Sequence, residues 1–521
     1  MKFPIGIQSF ERIIQEGYIY VDKTDIIYDL THNGSIYFLS RPRRFGKSLL
    51  VSTLENYYLG HKELFRGLAI ERMETEWNEY PVFHVDFNAT NFTNSGELEQ
   101  KLNLYLVEWE QKYNLQVRTN ELGLGDRFIK ILEAAHLQTG RRAVVLVDEY
   151  DKPILDVLDV DTNLEDKHRN ILKAFYSVFK GADKHLQFVL LTGVTKFSQV
   201  SVFSGFNQPK DISMDVRYEA LCGITQEEIE KYFTEPVSQM AVEYQCTPEE
   251  MYKQLKKQYD GYHFSDKLTD IYNPFSLLNA LDAKRIKDYW FSTGTPTYLI
   301  RLLNRSHERM NEFTGKYYTP AEFIDYKADV ERPLPMIYQS GYLTIKAYDR
   351  DFNTFLLDFP NNEVKGGFLT MVASSYLQPA EETGGWIRSL VIALRKGEVE
   401  QVRELFTSFL SGIPYTMRRR ENEIERERYF QYTFYLIMRL VSVYTVYAEK
   451  VQSQERVDCI VETSDYVYIF EFKLDGTAEE ALRQIEEKGY AREYGTDSRS
   501  VYKIGASFSS VTGTISDWAV N

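Results

Sequence analysis

Apolar and polar positions follow two rhythms along this chain. Ile36, Tyr37, Phe38 and Leu39 form an unbroken apolar run, and Leu49, Leu50, Leu54 and Tyr57 follow it at helical spacing. The pattern predicts a buried strand, a tight loop and an amphipathic helix that stops near Gly60. Runs at 81–87, 141–147 and 187–193 predict further buried strands, and helices are expected at 10–17, through Leu30, at 96–112 and at 126–136. Residues 225–287 are helical in pattern, with Thr225-Gln226-Glu227-Glu228 as a helix start. Two aromatic, turn-rich stretches, 259–264 and 271–276, interrupt them. Residues 336–345 and 355–360 read as a β-hairpin, and 366–409 as helices. Beyond Ser411-Gly412-Ile413-Pro414 the order reads α-β-β-β-α-β: a helix at 421–443, strands at 443–451, 456–462 and 466–474, a helix at 478–490 and a strand at 501–508. The expected organisation is an N-terminal α/β domain with a parallel sheet (1–222), a helical, winged-helix-like connecting region (223–410) and a smaller C-terminal α/β domain (411–521).

At 521 residues the chain exceeds what one core supports, which agrees with several domains. A net charge of −15 excludes a surface that binds nucleic acid everywhere, so any such contact needs a local basic patch. Arg418, Arg419, Arg420, Arg426 and Arg428 are the candidate patch, with a solvated charge run as the plain alternative. The abundant Tyr and Phe read as packing rather than stacking platforms. Cys222, Cys246 and Cys459 are too dispersed for a disulfide framework or a zinc site. The N-terminus lacks the apolar core of a signal peptide, and no run of about 18 apolar residues occurs. A cytoplasmic protein without membrane contact is expected. A homo-oligomer is left open.

Between the first strand and its helix lies Arg41-Pro42-Arg43-Arg44-Phe45-Gly46-Lys47-Ser48. Strand, loop and Gly-Lys-Ser opening a helix are the setting of a phosphate-binding loop, where backbone N–H groups and the helix dipole attract anions. Lys47 would reach the β/γ-phosphates and Ser48 would hold Mg²⁺. Arg41 stands where the general motif has its first glycine, and Pro42 lacks an N–H. The strand ending in Asp148-Glu149 has the pattern of a Walker B element, with Asp148 in the metal shell and Glu149 polarising the attacking water. Thr192, closing the next strand, is a candidate γ-phosphate sensor or a structural strand-end residue, and Lys196 is a weaker candidate. His263 reads as a packing histidine.

A second constellation sits near the C-terminus. In Ile469-Phe470-Glu471-Phe472-Lys473, Glu471 and Lys473 share one strand face while Phe470 and Phe472 take the other. Asp458 lies on the preceding strand and could meet Glu471 across the pair. Two carboxylates beside a lysine suit metal-dependent phosphodiester hydrolysis: the acids bind Mg²⁺, and Lys473 positions the nucleophile or stabilises phosphate charge.

Taken together, Tyr20-Val21-Asp22-Lys23-Thr24, the loop 41–48, Val147-Asp148-Glu149-Tyr150-Asp151-Lys152-Pro153 and Leu191-Thr192-Gly193-Val194-Thr195-Lys196-Phe197-Ser198 resemble the bacterial AAA-ATPase-like family, which carries a C-terminal PD-(D/E)xK nuclease-like domain. The Arg41-Pro42 loop is similar to that family's own variant. The resemblance implies an AAA-like P-loop NTPase fold and a restriction-endonuclease-like C-terminal domain, with ATP and Mg²⁺ as ligands. It makes Arg44, Phe45, Gly46, Lys47, Ser48, Leu49, Asp148 and Thr192 nucleotide-site positions. It adds Gln484 to the catalytic set Glu149, Asp458, Glu471 and Lys473, with metal held by Ser48, Asp148, Asp458 and Glu471. Glu427 matches the family's opening-helix acid, and Glu449 is a weaker candidate. The expected function is an ATPase coupled to a nuclease acting on DNA, with RNA kept open. The competing expectation is a nucleotide-switched scaffold that binds without cleaving.

Overall fold

The computed structural model describes residues 1–115, 122–158, 160–196, 209–291, 313–324, 333–368, 383–411, 447–448 and 459–521. They form two compact units, Met1–Val364 and Lys365–Asn521.

The first unit is built on five parallel strands: β1 (Ile36–Ser40), β2 (Val82–Asp86), β3 (Ala143–Asp148), β4 (Leu186–Gly193) and β5 (Lys210–Asp211). Their order across the sheet is β2-β3-β4-β1-β5. Every residue of β3 is buried, as a parallel strand covered by helices on both faces requires. In this order β4 separates β1 from β3, and Leu39 pairs with Thr192 while Val147 pairs with Leu191. The C-terminal ends of β1, β3 and β4 therefore lie side by side, where open α/β sheets place their ligands.

Helices Gln226–Tyr232, Thr234–Glu243, Pro248–Tyr259 and Pro274–Ala283 share an apolar core. The helix start at Thr225 is a full capping box with Glu228, which also accepts Lys23 at 2.5 Å. A three-stranded antiparallel sheet follows, with Thr354–Asp358 between Lys316–Tyr318 and Thr344–Asp349. The expected hairpin is thus only half right. Its first half begins as the helix Leu334–Gln339, with Pro335 in the first turn, where a missing N–H costs nothing. That run looks strand-like because nearly every side chain in it is buried.

His263 is held at both ring nitrogens, by the Ile345 carbonyl at 2.6 Å and the Asp270 carboxylate at 2.7 Å. Nearby, Asp260 is 1% exposed, and burial pushes its carboxyl up to about 7, with Asp270 adding to the rise and Lys256 and His263 opposing it. A carboxyl raised above its unfolded value binds its proton more tightly when folded. Its stabilising effect is therefore complete below about pH 4 and lost as pH climbs towards 7. Asp260→Asn should remove that loss, which is roughly 1.4 kcal/mol per pH unit at most. Urea titrations of both proteins at pH 5 and pH 8 should show a smaller drop for the variant.

In the second unit, helices Thr383–Lys396 and Val399–Ser411 accompany a five-stranded mixed sheet, so this helical pair belongs here rather than with residues 223–364. The strand order is Tyr447–Ala448, Cys459–Glu462, Tyr466–Leu474, Ser500–Phe508, Ile515–Val520. The central pair, Tyr466–Leu474 and Ser500–Phe508, is parallel, and the helix Ala478–Lys488 connects them. Tyr466, Tyr468, Phe470 and Phe472 stack in a row on one face, and the Tyr468 hydroxyl donates to the Leu394 carbonyl at 2.6 Å. Val467 and Ile469 take the other face and pack with Ile485. The edge strand Ile515–Val520 is absent from the sequence reading. The expected helix at 421–443, and most of the strand at 443–451, lie outside the described residues.

All three cysteines are free thiols, and no described helix is long and apolar enough to cross a membrane.

Candidate active sites

The first site forms where β1 runs into the helix Lys47–Tyr58. Gly46 caps that helix at φ 98, a conformation glycine adopts without steric cost, and Arg44 is also left-handed at φ 67. The Lys47 ammonium is buried. It donates to the carbonyls of Arg41 (3.1 Å) and Pro42 (3.4 Å) and lies 3.2 Å from the Glu149 carboxylate. Glu149 itself has φ 54, an uncommon conformation for a non-glycine residue.

Beside it, the Asp148 carboxylate accepts the Thr192 hydroxyl at 2.6 Å and the Asn88 amide at 3.3 Å. Asp148 and Thr192, expected on separate strands of one site, are thus joined directly. Asp151 accepts the N–H groups of Val194 (3.0 Å) and Thr195 (2.6 Å) and the Thr195 hydroxyl (2.7 Å). Burial, reinforced by Glu149, raises its carboxyl to about 6. Asp151 thereby ties the β4 end to the segment that carries Glu149.

A cleft of about 520 Å³ opens at this point, lined among others by Arg43, Arg44, Gly46, Lys47, Ser48, Leu49, Asn88, Glu149 and Lys152. Four cationic side chains against one carboxylate, beside a helix N-terminus, suit a polyanion such as a nucleotide triphosphate. Burial, followed by the charge of Arg43, lowers the Arg44 guanidinium, as expected where cations gather. Asp148 and Thr192 are buried and do not line this cleft.

The structure adds detail at three of the residues singled out in the sequence. The Phe45 ring is buried, edge-on to Tyr262 and Phe264, so only its backbone is available to a nucleotide. The Lys196 ammonium is engaged by Asp211 at 2.7 Å, not by the phosphate loop. Arg41, which stands where the general motif has its first glycine, has a fully buried guanidinium that lies 4.0 Å over the Phe264 ring and donates to the carbonyls of Ser213 (2.7 Å) and Tyr218 (3.2 Å). Asn88 and Lys152 were missed. Asn88 carries no motif signal, and Lys152 sat unused in a segment already singled out.

The second site lies on the strand Tyr466–Leu474. Lys473 Nζ donates to Gln484 Oε1 at 2.6 Å and stands 3.5 Å from Glu471 Oε1, and the Gln484 amide donates to the same carboxylate oxygen. Glu471 is 2% exposed while Lys473 is partly exposed, so the triangle has its carboxylate in the core and its ammonium towards the surface. Its geometry depends on Gly505, which pairs with Glu471 across the parallel strands. A Cβ at 505 would lie 2.1 Å from the Ala478 carbonyl oxygen, so only glycine lets the helix bearing Gln484 pack this closely. Gly505→Ala should destabilise the protein by about 1–3 kcal/mol and shift Gln484 away from Glu471, measurable as a lowered melting temperature with loss of any cleavage activity.

Asp458, Glu427, Glu449 and the arginines at 418, 419, 420, 426 and 428 lie outside the described residues. Among the described residues no group of three or more His, Cys, Asp or Glu side chains is placed to hold a metal ion. Glu471 alone is one carboxylate ligand, so a metal here needs a second acid.

Residues 4–203 match a family model described as predicted AAA-ATPase, and residues 425–518 match the PD-(D/E)XK nuclease superfamily. Over 519 residues the chain is 34% identical to a protein described as "Uncharacterized protein in vnfD 5'region" from Azotobacter chroococcum mcd 1, spanning 98% of this chain and 96% of that one.

Proposed function

The chain belongs to the AAA-ATPase-like family and carries a C-terminal domain of the PD-(D/E)XK nuclease superfamily, and we propose that it hydrolyses ATP in its first unit and cleaves DNA phosphodiesters with its second. The observation that carries the reading is the meeting of Lys47 and Glu149 in a basic cleft, with the buried Asp148–Thr192 pair at the adjoining strand ends behind it.

In this scheme the backbone N–H groups at the start of the helix Lys47–Tyr58 bind the phosphates, with Arg43 and Arg44 adding charge. Lys47 exchanges the Glu149 carboxylate for phosphate oxygens, and Glu149, so released, accepts a proton from the attacking water. Thr192 holds Asp148 in place. At the second site Lys473 stabilises charge on the phosphate, while Gln484 orients Glu471. Ser48 and Asp148 would hold Mg²⁺ at the first site, and Glu471 with Asp458 at the second. Bound Mg²⁺ supplies charge neutralisation on the phosphates and lowers the pKa of a coordinated water.

The Lys47–Glu149 pair and the missing N–H of Pro42 favour a second reading, in which ATP binds without useful turnover and switches a nucleic-acid-binding scaffold. Phosphate release from ATP by the full chain, and cleavage of plasmid, single-stranded DNA and RNA in Mg²⁺ with ATP added or omitted, decide between them. ATP-dependent DNA cleavage supports the proposal. ATP binding with neither turnover nor cleavage supports the scaffold.

A further inference from the structure

Residues 204–424 match neither family model, yet part of this stretch grips the phosphate loop. The loop holds glycine only at Gly46, and Arg44 sits at positive φ. A non-glycine residue stays in that conformation only where its surroundings impose it. Six residues of this stretch contribute to those surroundings. The Phe264 ring lies under Arg41, Gly341 abuts Pro42, and the Trp290 indole N–H donates to the Arg43 carbonyl at 3.0 Å. The Phe275 ring lies 3.9 Å from the Arg44 guanidinium, and Tyr262 packs edge-on to Phe45, whose carbonyl accepts the Gly223 N–H at 3.1 Å. Each loop residue from 41 to 45 is thus held by a different contact from beyond the sheet.

We propose that Trp290 is a positioning residue for nucleotide binding, fixing the phosphate loop through the Arg43 carbonyl and reporting its occupancy. Among these contacts Trp290 makes a single directed bond to loop backbone from a side chain that is itself 1% exposed and seated against Tyr342, 5.2 Å between ring centroids. Phosphates that draw on loop N–H groups must move or polarise the same peptide units, and the indole bonded to one of them will sense it. Gly341 works in the same direction: it has φ 88, and a Cβ there would come within 2.7 Å of the Pro42 Cβ.

The inference rests on the loop being an ATP site, so wild-type binding is measured first. In the full-length protein, ATP should change the tryptophan emission, and Trp290→Phe should abolish that change. The variant puts a smaller phenyl ring in place of the indole and loses the N–H donor, leaving the part-buried Arg43 carbonyl without this bond. Its Kd and KM for ATP should rise roughly tenfold, with kcat at saturating ATP little changed and the melting temperature lowered by the lost packing and hydrogen bond. Gly341→Ala should raise KM in the same way and decides the matter if Trp290→Phe fails to fold. Unchanged ATP affinity, with the emission change retained in Trp290→Phe, overturns the proposal while leaving the ATP site intact. A wild type that binds no ATP overturns the site reading itself.

Discussion

Glu149→Gln is expected to lower ATP turnover about 10²–10⁴-fold while ATP binding is kept or tightened. The range is that of a positioned general base. Glutamine preserves the size of the side chain and its place after Asp148, but it accepts no proton at neutral pH. It also removes the negative charge that lies 3.2 Å from Lys47, so the incoming phosphates no longer compete with a carboxylate for the ammonium. The two effects separate in single-turnover measurements: the chemical step slows, and the Kd does not rise. The pair also makes Asp151 a witness. Glu149 helps to raise the Asp151 carboxyl to about 6, so in the variant that value should fall. Turnover that survives the substitution would remove Glu149 from the chemistry and leave it as an anchor for Lys47.

Lys473→Ala should reduce DNA cleavage about 10²–10³-fold, the usual effect of removing one preorganised group that stabilises developing charge. ATP turnover should be untouched, since Lys473 lies in the other unit. Lys473 is partly exposed and bonds Gln484, so its loss leaves little unsatisfied in the core. Glu471→Gln is the harsher companion, because it changes the buried acceptor shared by Gln484 and Lys473. Plasmid nicking assays on the wild type and both variants, with melting curves as controls, separate lost chemistry from lost folding. Equal background cleavage by wild type and Lys473→Ala would sink the nuclease reading for that substrate.

Much of this was legible in the sequence where local pattern and tertiary role coincide. Fully apolar runs became β1, β3 and β4, because a strand covered on both faces has no polar side. Glu471 and Lys473 share a face because side chains alternate along any strand. The misreadings share one cause, which is that burial from a distant segment leaves no local trace. The role of Arg41 is not visible until Ser213, Tyr218 and Phe264 appear around it. The helix at 334–339 imitates a strand because it is buried on nearly all sides. Ile515–Val520 escaped notice because an edge strand with exposed positions carries little apolar signal. Asn88 bonds a carboxylate sixty residues away, and spacing alone predicts no such bond.

The strand order has a consequence for how the chain is made. Both neighbours of β1 in the sheet, β4 and β5, come about 150 residues or more after it. A ribosome adding roughly 5–20 residues per second leaves the apolar edge of β1 without its partners for about 7–34 s. During that interval β2 and β3 can pair with each other but not with β1. Nascent chains stalled before residue 186 should therefore be bound by holding chaperones and cut readily by protease around 36–40. Chains that have cleared the ribosome tunnel beyond residue 211 should resist both.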